Sequence, residues 1–197
     1  MVEAPLNPDA QGGLDASTDV AIVGAGILGL AHAAAAVKRG LRVTVFERSD
    51  MAVGASIRNF GQMLVTGQPP GIMLDLARES RELYLGWADT AGLAVRAKGA
   101  LLFARNAAED AVLDEFMATR APAFGYNVRL LRSAELAGLY DGRFARHRSA
   151  LQGFDDLQLY SREAVPALTA WLAMQGVRFH FGTLVRHVEG GRLDTTA

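Results

Sequence analysis

From Asp19 to Arg48 the chain reads DVAIVGAGILGLAHAAAAVKRGLRVTVFER, with three glycines set between two runs of aliphatic and β-branched residues and an acid at the end. The first run, Val20 to Val23, predicts a buried strand. The glycines at 24, 26 and 29 then open a helix that continues to about Arg39, where Gly40 caps it, and Leu41 to Phe46 predicts a second strand closing on Glu47. An uncharged stretch of 17 residues, Ala21 to Val37, would resemble a membrane span but for its glycines and His32. A span needs about 20 residues, and a strand, a tight turn and a helix covered on both sides explain the same pattern.

The pattern changes after Pro69-Pro70. Ile72, Leu76, Leu83 and Trp87 recur at helical spacing up to Gly92 and predict a helix with those residues in the core. LAVRAKGALLFAR predicts two short strands around Lys98-Gly99, and Glu109 to Arg120 an amphipathic helix through Val112, Leu113 and Phe116. Val128 to Leu131 predicts a strand, followed by a short helix opened by Ser133 with Glu135 near its start. A helix carrying Val165, Leu168 and Leu172 on one face ends at Gly176, before a strand whose Val177, Phe179 and Phe181 alternate inward. Gly190-Gly191 predicts a turn.

The local unit from Val20 to Glu47 carries the chemistry. In such a strand, turn, helix and strand, the first glycine permits the turn, the second lets a pyrophosphate approach the backbone, and the third lets helix and strand pack closely. The helix N-terminus offers unpaired N–H groups and the positive end of its dipole to phosphates. Glu47 stands 18 residues past Gly29, where about 20 are expected for an acid that binds a ribose hydroxyl. A carboxylate there would repel the 2′-phosphate of NADP, so NAD and FAD remain.

Composition narrows the remaining chemistry. The 20 basic and 21 acidic side chains nearly cancel, leaving −1, so no global field favours nucleic acid or an anionic membrane. With no cysteine there is no disulfide, thiolate nucleophile or thiolate-bound metal in this chain. A cytoplasmic location fits that usage. Residues 1–17, with prolines, paired glycines and acids but no apolar core, are expected to be a flexible leader rather than a signal peptide. His32 lies inside the first helix, His147 in a basic run expected to be a solvated face, His180 on the side of its strand away from the phenylalanines, and His187 near a hairpin. They lack metal-ligand spacing, so no metal is expected. Asp155-Asp156 is expected to be a turn.

The segment beyond the second strand separates NAD from FAD. Its sequence, ERSDMAVGASIRNFGQMLVTGQPPG, resembles the FAD-dependent oxidoreductases of the D-amino-acid oxidase superfamily, in which a Glu-Arg pair closing the strand is followed by a Gly-Ala-Ser turn. Here these are Glu47-Arg48 and Gly54-Ala55-Ser56; SIRNFG and GQPPG look more like a subgroup associated with phosphonate breakdown. The resemblance implies that Gly24, Gly26, Ile27 and Gly29 shape the diphosphate cradle, Glu47 binds the adenosine ribose, and Arg48 flanks the adenine. Ser56 would bond a phosphate oxygen, Asn59, Gly61, Gln62 and Met63 would run near the flavin ring, and Val185 would offer backbone contacts to adenine. Arg58 is the candidate anchor for a substrate's acid group.

It also implies an α/β architecture: a Rossmann-like FAD-binding fold, with a parallel sheet built on the βαβ unit, and an inserted antiparallel α+β substrate domain. The expected division is 18–64 plus 148–197 for the FAD-binding domain and 65–147 for the cap. The implied activity is oxidation of the C–N bond of a small amine or amino acid, with an electron acceptor the sequence does not name. Alternatives are an NAD-dependent dehydrogenase or a non-catalytic dinucleotide-binding fragment. Because the resembling proteins run to nearly twice this length, the chain is expected to be their N-terminal portion. No integral membrane segment and no nucleic-acid partner are expected.

Overall fold

A computed structural model describes residues 17–196, so the expected leader lies almost wholly outside the described residues. The chain divides into two compact units. One takes the described residues up to Asn59, with Asp89–Leu93 and the chain from Ser161 on; the other is Phe60–Ala88 with Ala94–Tyr160.

The first unit opens with β1 (Val20–Val23), α1 (Ile27–Val37) and β2 (Val43–Phe46). β1 and β2 pair in parallel from Val20↔Val43 to Val23↔Phe46. All four residues of β2 are buried, as a strand covered on both faces requires. α1 turns Leu30, Ala33 and Ala36 inward, and Gly40, at φ +74, ends it in the left-handed conformation glycine adopts without strain.

The second unit is antiparallel and centres on one long strand. Its elements are β3 (Gln62–Met63), α2 (Ile72–Ala91), β4 (Val95–Ala104), α3 (Ala107–Glu115), α4 (Ala121–Phe124), β5 (Val128–Arg132), α5 (Ser133–Ala137) and β6 (Ser149–Leu159). β4 runs beside β6 along one edge, while β5 and then β3 take the other. One apolar cluster gathers Val65, Leu74, Ala121 and Tyr126, and another gathers Leu131, Leu136 and Ala150.

Several expectations for this unit change. β4 is one strand rather than two, because β6 supports both halves; the Lys98-Gly99 break is a register shift, with Gly99 at φ +84. The expected helix ends its α-helical part at Glu115, passes through a π turn at Phe116–Arg120 and resumes to Phe124. Pro122 has no N–H to donate, which favours this wider winding. Ile72, Leu76 and Leu83 face outward, and the buried residue of α2 is Leu74. On the Leu74 side of α2, Arg78 donates to the carbonyls of Phe124 and Gly125, and Arg81 donates to that of Asp155. Asp155-Asp156 lies inside β6 and forms no turn. β6 itself belongs to the second unit, where 148–197 was expected to return to the first, because its partners are β3, β4 and β5.

The chain re-enters the first unit with α6 (Ser161–Met174) and β7 (Arg178–His180), which adds to β2 in parallel to give the order β1-β2-β7. α6 buries Val165, Leu168 and Leu172 as expected and packs on α1. Val177 is buried, but Phe181 is exposed because it lies just past the end of β7, so the inward alternation does not extend to it. His180 does not point freely away; its ring stacks on Phe46 at 5.2 Å. A hairpin of β8 (Val185–Glu189) and β9 (Arg192–Thr195) comes next, turning at Gly190-Gly191, both with positive φ.

Candidate dinucleotide-binding site

The glycine loop sits at the C-terminal end of β1, where β2 ends beside it. Gly24, at φ +101, donates its N–H to the Phe46 carbonyl at 2.7 Å, which bends the chain out of the strand. Space beyond its missing side chain is open for 4 Å. Gly26 is the extended N-cap of α1 and has no side chain to satisfy the helix end. A methyl group on Gly29 would overlap the Gly24 carbonyl oxygen, so the third glycine is what permits α1 to lie this close to β1.

Two side chains from later in the sequence converge on this loop. Glu47, leaving β2, accepts the Ala25 N–H at 3.0 Å and, through its other oxygen, the Ser49 N–H at 3.1 Å. Its own backbone is held on both sides, by the His180 carbonyl and the Thr183 N–H, both at 2.9 Å. Ser56 lies in a single 3₁₀ turn, Ala55–Ile57, and its Oγ accepts the Ile27 N–H at 2.9 Å. A hydroxyl that accepts here keeps its own proton to donate. The N–H groups of Leu28 and Gly29, in the first turn of α1, have no intrahelical acceptor by position. Open backbone, unpaired donors and an adjacent carboxylate fit the pyrophosphate and ribose of a dinucleotide.

The other predicted residues stand on several different elements. Arg48 is exposed beyond β2, and Val185 opens β8 opposite Thr195. Arg58 is exposed at the end of the Ser56 turn. The Asn59 side-chain amide donates to the Ala55 and Ser56 carbonyls, both at 3.0 Å, so it shapes the turn that carries Ser56. Gly61, Gln62 and Met63 belong to the second unit. There Gly61, at φ +66, leads into β3 and accepts the Leu159 N–H.

Asp19 and its partner Arg42, and separately His180, are perturbed near the parallel sheet. Asp19 is lowered to about 2, chiefly by the hydrogen bond from the Arg42 side chain and then by the Arg42 backbone N–H. His180 is lowered by burial, which disfavours its charged form, and secondarily by the Arg178 charge. His147 also departs from expectation, stacking against Phe103 at 4.3 Å. Among the described residues no group of three or more His, Asp and Glu could hold a metal ion. Sequence reasoning missed Asp156, which is buried and bonded to residues about 90 positions earlier. Strand alternation cannot find it, because β6 is irregular there.

Residues 19–197 match a family described as FAD dependent oxidoreductases, the DAO family. The chain belongs to it. Among solved structures, this FAD-dependent oxidoreductase chain is similar to glycine oxidase from Geobacillus kaustophilus, with 26% identity and a TM-score of 0.79 over 91% of this chain and 51% of that one. It is similar in fold to L-amino acid deaminase from Proteus myxofaciens (24% identity, TM-score 0.80, 93% of this chain and 42% of that one). L-proline dehydrogenase from P. horikoshii shares that fold as well (19% identity, TM-score 0.75, 88% and 46%). The chain therefore spans about half the length of the solved structures it matches. A search of curated protein sequences finds no significant match. The expected α/β fold, with a parallel sheet in one unit and an antiparallel sheet in the other, is the fold of these flavoenzymes, and FAD is the cofactor of the family.

Proposed function

We propose that the protein oxidises the C–N bond of a small amine or amino acid, with this chain supplying the cradle for the ADP half of FAD. The observation that carries the reading is the convergence of Glu47 and Ser56 on the glycine-lined N-terminus of α1. In it, Gly24, Gly26, Ile27 and Gly29 admit the diphosphate to the backbone, and the Leu28 and Gly29 N–H groups meet its charge. Ser56 holds the Ile27 N–H while donating its own proton to a phosphate oxygen. Glu47 has lone pairs left after its two backbone bonds, and these accept the ribose hydroxyls. Arg48 flanks the adenine, Val185 contributes backbone contacts to it, and Asn59, Gly61, Gln62 and Met63 run along the ring. The bound flavin supplies the hydride acceptor, so the protein's own task is to hold the substrate, orient it and exclude water.

For the substrate we infer a small amine bearing a carboxylate or phosphonate, with Arg58 as its anchor. Arg58 is exposed at the end of the turn that carries Ser56, and a guanidinium matches either acid group in bidentate geometry. The solved relative at 26% identity is a glycine oxidase, which supports the amino-acid class. The test is anaerobic bleaching of the bound flavin by anionic and uncharged amines. Arg58→Met is expected to raise the apparent Kd for anionic amines at least tenfold while the flavin stays bound. Equal weakening for uncharged amines would contradict the anchor, and a protein that takes up no flavin would contradict the whole reading.

A further inference from the structure

Within the second unit a buried carboxylate holds a segment on which the proposed function depends. Asp156 is 1% exposed. One of its oxygens accepts the Val65 N–H at 2.7 Å and the Thr66 N–H at 3.0 Å; the other accepts the Thr66 hydroxyl at 2.6 Å. These partners are 90 and 91 residues away in sequence. They belong to the stretch that leaves β3, so the bonds pin Val65 and Thr66, directly after β3, onto β6.

The rest of the neighbourhood is built around that bond set. Gly153 has no side chain because a methyl group there would overlap both the Thr66 hydroxyl and the Asp156 carboxylate. β6 makes room by breaking register with β4 between Gly153 and Leu157, and the extra residues carry Asp156 inward. Val65 enters the apolar cluster with Leu74 and Tyr126, and the Tyr126 hydroxyl donates to the Gln68 carbonyl at 2.6 Å. β3 itself contributes only two paired residues, Gln62↔Gln158 and Met63↔Leu157. Two ladder pairs are a small hold on a strand, whereas three bonds to one buried carboxylate are a strong one.

We propose that Asp156 is a positioning residue for the flavin site: through Val65 and Thr66 it fixes the register and rigidity of Gln62-Met63. The inference rests on the functional reading that sets those two residues along the flavin ring. Asp156 touches neither cofactor nor substrate in it, and acts only by holding the strand that does.

The test compares Asp156→Ala, Asp156→Asn and Thr66→Val with the unaltered chain, using FAD and ADP as probes and hydrogen exchange as an independent readout. Asp156→Ala is expected to speed exchange of the Val65 and Thr66 amides at least tenfold, to raise the Kd for FAD at least fivefold, and to change the visible circular dichroism of the bound flavin. Its Kd for ADP should stay within twofold, because ADP lacks the ring. Asp156→Asn keeps an acceptor for both N–H groups and should recover most of the loss. Thr66→Val removes only the hydroxyl bond and keeps the test open should Asp156→Ala fail to fold; it should produce a smaller change of the same kind. Faster exchange with unchanged FAD affinity and unchanged dichroism would make Asp156 purely structural and overturn the inference. Unaltered protein that binds no FAD would remove the functional reading, and this inference with it.

Discussion

At Gly29 the requirement for a bare backbone is steric. Alanine there would drive its methyl group into the Gly24 carbonyl, which is backbone and cannot swing aside. Overpacking of this kind costs about 1–3 kcal/mol, and the obstruction being main chain places Gly29→Ala toward the upper end. Urea unfolding should show the lowered midpoint, and an unchanged midpoint would mean that α1 shifts freely on β1. Gly24, Gly26, Gly29 and Glu47 stood out because the glycine spacing and the acid that follows it lie within one short stretch, even though Glu47's backbone is held by His180 and Thr183. Asp156, His147 and His180 were not, since each takes its meaning from a residue far away in sequence: Thr66, Phe103 and Phe46 respectively. Alternation along a strand states which face a residue takes, and says nothing about what waits on that face.

β1 and β2 are tied at their N-terminal ends by one ion pair. Asp19 accepts from the Arg42 backbone N–H, Nε and a terminal guanidinium nitrogen, at 2.8, 3.1 and 2.8 Å. Its folded pKa, about 2, lies below its ordinary 3.8. The unfolded chain therefore binds the proton more readily, and the pair's contribution is complete above the unfolded value of 3.8 and is lost as pH falls through the folded value of about 2. The pair is solvent-exposed, so the effect is modest and weakens with salt. Asp19→Asn should lower Tm slightly at neutral pH, with the difference from the unaltered chain shrinking as pH falls through about 2. A difference that does not shrink with falling pH would assign the effect to packing instead.

Short-range elements were readable from the sequence to within a residue or two: β1 as Val20–Val23, and α6 by its inward Val165, Leu168 and Leu172. The elements misread are those whose form depends on a distant partner. β4 is continuous because β6 lies beside it, and α2 turns Leu74 inward because the cluster it joins is made by Val65, Ala121 and Tyr126. Hydrophobic spacing alone favoured the opposite face, since Ile72, Leu76 and Leu83 recur at helical spacing and Leu74 lies off that row.

Over the whole chain, the residues that the family resemblance assigns to the flavin are found in both units. The parallel unit carries Gly24, Gly26, Ile27, Gly29, Glu47 and Ser56; the antiparallel unit carries Gly61, Gln62 and Met63. Among the described residues no helix is long and apolar enough to cross a membrane. β2 passes into the Gly54-Ala55-Ser56 turn and then the antiparallel unit, where an NAD-dependent dehydrogenase would continue with another helix and parallel strand.

The central claim is that this chain binds FAD through the carboxylate and glycines of its first βαβ unit. Calorimetric titration of the 197-residue chain with FAD, beside Glu47→Ala, tests it most directly. Losing a charge-assisted acceptor for the ribose hydroxyls should weaken binding by about 1–3 kcal/mol, roughly five- to 140-fold in Kd. The predicted result is saturable binding of FAD by the unaltered chain and that loss in the variant, with both shown folded by circular dichroism. A folded chain that binds NAD but not FAD, or a Glu47→Ala variant with unchanged FAD affinity, would contradict it.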